Sequence, residues 1–209
     1  MPTLPDQSID MILCDLPFGT TKNSWDSVIP LDKLWAQYRR IIKPRGAIVL
    51  FAQTPFDKVL GASNLDWLRY EWIWEKEQGT GHLNSHFAPM KIHENILVFS
   101  PSIAAQIQRD PTRAMHYYPQ YRQGKPYCTK ANKGTSLNYD SKNTRPIKVE
   151  NDGNHYMPTS ILRFHRDRDR LHPTQKPVNL LRYLIRTYTQ PGDLVLDNTM
   201  GSGSTIVAA

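Results

Sequence analysis

The chain has 209 residues, of which 39% are hydrophobic and 22% charged, with two cysteines and a formal net charge of +7. A length of this kind suits about one domain of 100–200 residues or slightly more, and it can bury roughly 70% of the unfolded surface. Membrane, secreted disulfide-rich, fibrous and structural-zinc classes are excluded: no apolar run nears the ~20 residues of a membrane helix, Met1-Pro-Thr-Leu-Pro-Asp6 has no leader pattern, and Cys14 and Cys128 cannot build a disulfide framework or a zinc cluster.

Ser8–Phe18 carries Ile9, Met11, Ile12, Leu13 and Cys14, a short apolar run stopped by Asp15-Leu-Pro-Phe-Gly19. It predicts a buried strand ending in a turn. Leu31–Lys43 spaces Leu34, Trp35, Tyr38, Ile41 and Ile42 as a helix does, with Asp32 in the first turn and Pro44 and Gly46 closing it. Ala47–Ala52 predicts a second buried strand, and Pro55–Ser63 a short helix. Tyr70–Lys76, which alternates Trp72 and Trp74 with polar neighbours, and Asn95–Ser100 predict two further strands. Strands alternating with helices imply right-handed crossovers and a largely parallel α/β sheet. Gly79–Met90 and His93-Glu94 read as loop residues that could line a pocket. The Trp67, Trp72 and Trp74 cluster reads as core and hairpin packing.

From Pro101 to about Asp169 the periodicity fades and Pro, Gly, Asn, Lys and Tyr dominate, as in a loop-rich insertion. Residues 101–170 hold thirteen Lys+Arg against six Asp+Glu, a surplus equal to that of the whole chain, while the remaining residues balance at thirteen each. A localised basic surplus attracts a polyanion. Tyr117, Tyr118, Tyr121, Gln106, Gln108, Gln120, Asn132 and Asn138 are interleaved with it and suit base stacking or base-edge contacts. Order returns in Pro177–Tyr188, a helical pattern of Val178, Leu180, Leu181, Leu184 and Ile185. A strand at Leu194–Leu196 then leads into the glycine-rich Asp197-Asn-Thr-Met-Gly201-Ser-Gly203-Ser-Thr205, which opens a helix.

Three short stretches carry chemistry. Asp15-Leu16-Pro17-Phe18 ends a strand where open α/β sheets bind ligands. Its carboxylate can accept from an amino group, Pro17 fixes the turn, and Phe18 offers a stacking face. Gly201 and Gly203 permit positive φ and close ligand approach, and the following helix N-terminus favours negative charge. The loop lacks the Gly-Lys-Ser/Thr of a P-loop and the Gly-x-Gly-x-x-Gly of dinucleotide folds. In His172-Pro-Thr-Gln-Lys176-Pro177, Pro177 suits a first helical turn, Thr174 can cap it, and Lys176 can meet a carboxylate. Each stretch alone is also an ordinary turn or helix start.

In this order the three together resemble the S-adenosylmethionine-dependent DNA amino-methyltransferases, in the permuted group whose catalytic tetrapeptide precedes the cofactor loop. Asp15-Leu-Pro-Phe18 is similar to the family's Asp-Pro-Pro-Tyr, and Asp197–Thr205 to its Asp-x-Phe-x-Gly-x-Gly. Leu16, Phe18 and Thr199 depart from those patterns, and Phe18 keeps the stacking face. The resemblance implies a Rossmann-like, doubly wound sheet. Residues 1–100 would form the catalytic part, 101–170 a basic target recognition region, and 171–209 the cofactor-binding part of the same core. It implies S-adenosylmethionine held by Asp197, Thr199, Gly201, Gly203 and Thr205 with Thr174 and Lys176, and no metal. It also implies double-stranded DNA as partner, a homodimer as one assembly, a cytoplasmic location, and a role in DNA methylation or restriction–modification. The reaction expected is methyl transfer to the exocyclic amino group of adenine, on a flipped base. The alternatives are the 4-amino group of cytosine, or a DNA-binding remnant without catalysis. Family members carry an acidic strand for the cofactor ribose after the glycine loop and a short acidic motif before the first strand. Neither lies between Met1 and Ala209, so strands are expected to be missing on the cofactor side. Cys14 follows Leu13 and Cys128 follows Tyr127, neither in the Pro-Cys context of C5-cytosine chemistry.

Overall fold

The computed structural model describes residues 1–20, 23, 26–130, 148–167 and 175–209. In chain order the elements are β1 (Ile9–Asp15), α1 (Leu31–Ile41), β2 (Ile42–Ala52), α2 (Phe56–Ala62), β3 (Leu68–Thr80), β4 (Lys91–Phe99), α3 (Ala104–Arg109), β5 (Tyr127–Lys130), β6 (Lys148–Asn151), β7 (Ile161–Arg163), α4 (Val178–Tyr188), β8 (Val195–Leu196) and α5 (Ser204–Ala208). Six strands form one sheet in the order β7-β3-β4-β2-β1-β8.

Side chains alternate between the two faces of a strand, and here both faces are apolar. Ile12 and Cys14 of β1, Ile48 and Leu50 of β2, and Leu97 and Phe99 of β4 lie in one buried cluster. Met11 and Leu13, Ala47, Val49 and Phe51, and Ile96 and Val98 lie in a second. Strands apolar on both faces must be covered on both. α1 covers the first face with Leu34, Trp35, Tyr38 and Ile41, and α2 adds Phe56 and Leu60. α4 covers the second with Leu180, Leu181, Leu184 and Ile185. This is the doubly wound arrangement that the family resemblance implies. α1 also carries Asp32 in its first turn and Arg39 and Arg40 in its last, each on the favourable end of the helix dipole.

β1 pairs in parallel with β2 and β8, and β3 with β7. β4 alone is reversed, antiparallel to both β2 and β3. Only residues 81–90 separate it from β3, and a crossover needs a dozen or more residues, so the chain returns as a hairpin. β4 begins at Lys91, four residues before the start expected from its apolar pattern. His93 and Glu94, expected in a loop, therefore lie within the strand, and Glu94 is buried. Trp72 and Trp74 sit in the core, donating through Nε1 to the Tyr188 hydroxyl at 2.7 Å and the Phe164 carbonyl at 3.0 Å.

The chain divides into two compact units, Met1–Tyr118 with Ser160–Ala209, and Pro119–Thr159. The second contains the antiparallel β5–β6 pair and a bridge between Arg122 and Tyr156. Its sequence holds seven Lys+Arg against three Asp+Glu. Asn132 and Asn138 lie outside the described residues, as do His172 and Thr174. Among the described residues no helix is long and apolar enough to cross a membrane.

Leu184 is fully buried between α4 and the sheet. Leu184→Ala is expected to lower unfolding stability by about 2–5 kcal/mol, read as a fall in the urea midpoint with an unchanged slope.

Candidate active site

β1 ends at Asp15, on the carboxyl edge of the sheet. Leu16 is buried, and Pro17, which has no N–H to give a ladder, turns the chain out. The turn is held by buried Asp26, whose two carboxylate oxygens accept from the Gly19 and Thr20 N–H groups at 2.9 Å each. Phe18 is half-buried and packs against Phe56, with ring centroids 5.6 Å apart and planes tilted by 30°.

Four charges meet behind this turn. Lys176, just ahead of α4, donates from Nζ to Asp15 Oδ2 at 2.6 Å and lies 3.4 Å from Glu94 Oε2. Glu94 Oε1 lies 2.5 Å from Lys76 Nζ of β3. The Lys176 ammonium also sits 5.1 Å from the Phe51 ring centroid and 5.8 Å from that of Phe18. Burial opposes the Lys176 charge, but Asp15 and Glu94 outweigh it and hold its pKa above the ordinary lysine value. Burial likewise opposes the charge on Glu94, yet Lys176 and Lys76 hold its pKa below the ordinary value. Its stabilising pairing is thus present at neutral pH and lost as pH falls through that depressed value. Asp15 goes the other way: burial raises its pKa, and Lys176 offsets only part of the rise. Its second oxygen, Oδ1, is buried without a hydrogen-bond partner.

Beside β1, the short strand β8 delivers the glycine-rich loop. Ile12 pairs with Leu196, so the loop leaves the sheet at the same edge as Asp15. Asp197 shapes it: Oδ1 accepts from the Thr199 N–H at 2.9 Å and Oδ2 from the Thr205 hydroxyl at 2.6 Å. Gly201 and Gly203 adopt φ of 49° and 78°, a region that strongly favours glycine. A Cβ added at Gly203 would meet nothing within 4 Å, so the loop presents an open surface. Asn198 locks loop to core, accepting at Oδ1 from the Tyr38 hydroxyl at 2.7 Å and from Cys14 Sγ at 3.1 Å.

The structure thus gathers Asp15, Phe18 and Lys176 at one edge, with Asp197, Thr199, Gly201, Gly203 and Thr205 on the adjoining loop. Lys176, grouped by the sequence reading with the cofactor loop, meets Asp15. Thr174 lies outside the described residues. Lys76, Tyr38 and Asn198 were not singled out as site residues, and Glu94 was read only as a loop residue that could line a pocket. Glu94 did leave a signal, an acid two residues before the apolar run Ile96–Phe99. Among the described residues no cluster of His, Cys, Asp and Glu could hold a metal ion.

The chain matches the DNA methylase family of N6/N4 methyltransferases over residues 9–209. It belongs to this family. The type II methyltransferase M.BglII described from Bacillus subtilis is 28% identical over 99% of this chain and 58% of its own length. The DNA adenine methyltransferase YhdJ of Escherichia coli is 24% identical over 97% of this chain and 68% of its own. The chain therefore spans little more than half the length of the first relative. Among solved structures, the cytosine-N4-specific PvuII DNA methyltransferase superposes with a TM-score of 0.64, covering 100% of this chain and 73% of that one at 14% identity. The M1.HpyAVI–SAM complex gives 0.55, covering 96% and 77% at 21% identity. Both share this chain's fold.

The locked loop makes two predictions. Tyr38→Phe removes one of the two donors to Asn198 Oδ1 and should cost about 0.5–1.5 kcal/mol in urea unfolding. Burial pushes the Cys14 thiol up to about 12, whereas Cys128 is exposed. A thiol reagent at pH 8 is expected to modify Cys128 at once and Cys14 only on unfolding, counted by absorbance.

Proposed function

We propose that this methylase transfers a methyl group from S-adenosylmethionine to the exocyclic amino group of adenine in DNA. The observation that carries the reading is the adjacency of the Asp15-Leu-Pro-Phe18 turn and the Asp197–Thr205 loop, on neighbouring parallel strands at one sheet edge. The loop fits the cofactor: Gly203 is open to close approach, and Asp197 is committed to holding the loop in shape. When bound, S-adenosylmethionine supplies an electrophilic methyl group.

The chain's own residues would act on the acceptor. An exocyclic amino nitrogen is a poor nucleophile because its lone pair is delocalised into the ring. Asp15 and the Leu16 carbonyl would accept its two hydrogens and favour a pyramidal nitrogen, localising the lone pair toward the methyl group. The raised pKa of Asp15 suits a group that must also take up a proton as the new bond forms. Phe18 would stack on the flipped base, and its seat on Phe56 fixes the ring before the base arrives. Holding both reactants in line supplies the remaining acceleration.

Residues 101–170, with their basic surplus, are assigned to target recognition, and Tyr121, which is exposed, is suited to stacking. Adenine is favoured by the Asp at the first position of the tetrapeptide. Transfer to the 4-amino group of cytosine is the second reading, supported by the fold shared with the cytosine-N4-specific enzyme.

Calorimetry with S-adenosylmethionine, then tritiated methyl transfer to unmethylated duplex DNA, tests the proposal. Nucleoside analysis of the product is expected to give N6-methyladenine, and N4-methylcytosine would favour the second reading. Binding to DNA with neither cofactor binding nor transfer would leave a DNA-binding protein and sink the enzyme reading. Asp15→Ala should abolish transfer while cofactor affinity stays within a few-fold. Undiminished turnover in that variant removes Asp15 from the reaction.

A further inference from the structure

We propose that Lys176, backed by Glu94 and Lys76, is a positioning residue for Asp15 and does not bind the cofactor. The proposal rests on the methyltransferase reading for its kinetic consequences, but its structural claim stands apart from them.

The argument starts from the rotation of a carboxylate. The terminal torsion of an aspartate is broad and roughly two-fold, so an unrestrained Asp15 could present either oxygen over a wide arc. A 2.6 Å charge-assisted bond from Lys176 fixes Oδ2, and such bonds are among the stronger ones. Oδ1 is left as the uncommitted acceptor.

A lysine is a flexible anchor unless it is itself held. Lys176 is held three ways. Glu94 Oε2 faces its ammonium at 3.4 Å, the Phe51 and Phe18 rings lie at 5.1 and 5.8 Å, and its side chain is only 9% exposed. Glu94 is in turn fixed by Lys76 at 2.5 Å, and the β3–β4 pairing that joins Trp74 to Glu94 sets both strands in register. One ammonium therefore references the carboxylate and the Phe18 ring together, the two groups that the proposed reaction must aim at one base. With Asp15 and Glu94 both drawing on it, this ammonium is spent inside the protein rather than offered to a ligand's carboxylate.

The charges around Asp15 show why Lys176 is needed. Asp15 and Glu94 pair with Lys176 and Lys76, and Asp197 adds a third carboxylate. The charged groups around Asp15 are Lys176 ahead of α4, Glu94 on β4, Lys76 behind Glu94 on β3, and Asp197 after β8. Without the Lys176 cation, Glu94 and Asp197 would both oppose ionisation of Asp15.

The test compares wild type, Lys176→Met, Lys176→Arg and Glu94→Gln by three readouts. The first is a 13C NMR titration of labelled aspartate carboxyls, with Asp15 identified by Asp15→Asn. Lys176→Met should move Asp15 to a higher titration point, and Lys176→Arg should restore it toward wild type. The second is calorimetry, where S-adenosylmethionine affinity should stay within about three-fold of wild type in every variant. The third is transfer kinetics. In Lys176→Met, kcat should fall by about 100-fold, the scale of a small misplacement of a reacting group, with the KM for DNA little changed. The acidic limb of its pH profile should shift upward with Asp15. Lys176→Arg should recover part of kcat, and Glu94→Gln should fall between wild type and Lys176→Met.

Cofactor affinity weakened ten-fold or more, with the Asp15 titration unmoved, overturns the proposal and makes Lys176 a cofactor ligand. If wild type binds cofactor or DNA but transfers no methyl group, the enzymatic reading fails while the Asp15 titration still decides the positioning claim. If Lys176→Met does not fold, Glu94→Gln and Lys176→Arg carry the same comparison. An Asp15 titration unchanged in Glu94→Gln then overturns the claim.

Discussion

β1 is buried on both faces and paired on both edges, and the rest of the molecule is arranged to keep it so. Its neighbours β2 and β8 run parallel to it, so their carboxyl ends gather where β1 ends. Asp10 reinforces the arrangement from the other end, accepting from Lys43 Nζ at 2.7 Å and from the Leu194 N–H at 3.0 Å. Gly46 permits it, because a Cβ there would lie 2.8 Å from the Asp10 carbonyl oxygen. With the strand clamped at both ends, the position of Asp15 is set by core packing. A functional group carried on a rigid strand end is held more tightly than one on a loop.

The same constraint makes the site's electrostatics costly. Asp15, Glu94, Lys176 and Lys76 are drawn from four separate segments into the sheet's second face. Removing any one partner leaves an uncompensated buried charge, which is far worse than losing the pair together. Such a network is weak evidence for added stability. It is better understood as a device for holding groups in one geometry, and the opposed shifts of Asp15 and Glu94 fit that view. Glu94, between two ammonium groups, stays charged and acts as a fixed post. Asp15, with a single cation and one unpartnered oxygen, is the member whose pKa burial keeps above its ordinary value.

How much of this was legible in the sequence follows from how local each feature is. The runs Ile9–Cys14 and Ala47–Ala52 announce buried strands because both faces of each are apolar. Leu180, Leu181, Leu184 and Ile185 announce a helix because their spacing is helical. Asp15-Leu-Pro-Phe18 and the loop at Gly201 and Gly203 stand out because turn chemistry is concentrated in a few residues. The reversal of β4 is less local, since it depends on the length of a connection, and the polar start of the strand, Lys91 to Glu94, hides its true beginning. The Lys176–Asp15 pair spans 161 positions in the chain, and nothing near either residue names the other. Tyr38 and Asn198 are similarly distant, with a hydrogen bond that only the packed sheet brings within reach. Sequence periodicity reveals what each segment buries, but it does not reveal which polar groups are buried together.

The distribution of charge ties these levels to one another. A polyanion approaching an edge that bears two bare carboxylates would be repelled, and the repulsion would grow as water was squeezed out and the local dielectric fell. Pairing Asp15 and Glu94 with two ammonium groups offsets those two charges at the site, while the whole basic surplus of the sequence lies in residues 101–170, the region proposed to meet the nucleic acid. Attraction through exposed Lys and Arg is long-ranged and weakens with salt. The buried pairs are screened far less, so ionic strength should govern how the protein meets a nucleic acid much more than how it aims Asp15. On the proposed reading the two jobs fall to different parts of the sequence, and the carboxylate's orientation is set by the sheet and the buried pairs around it.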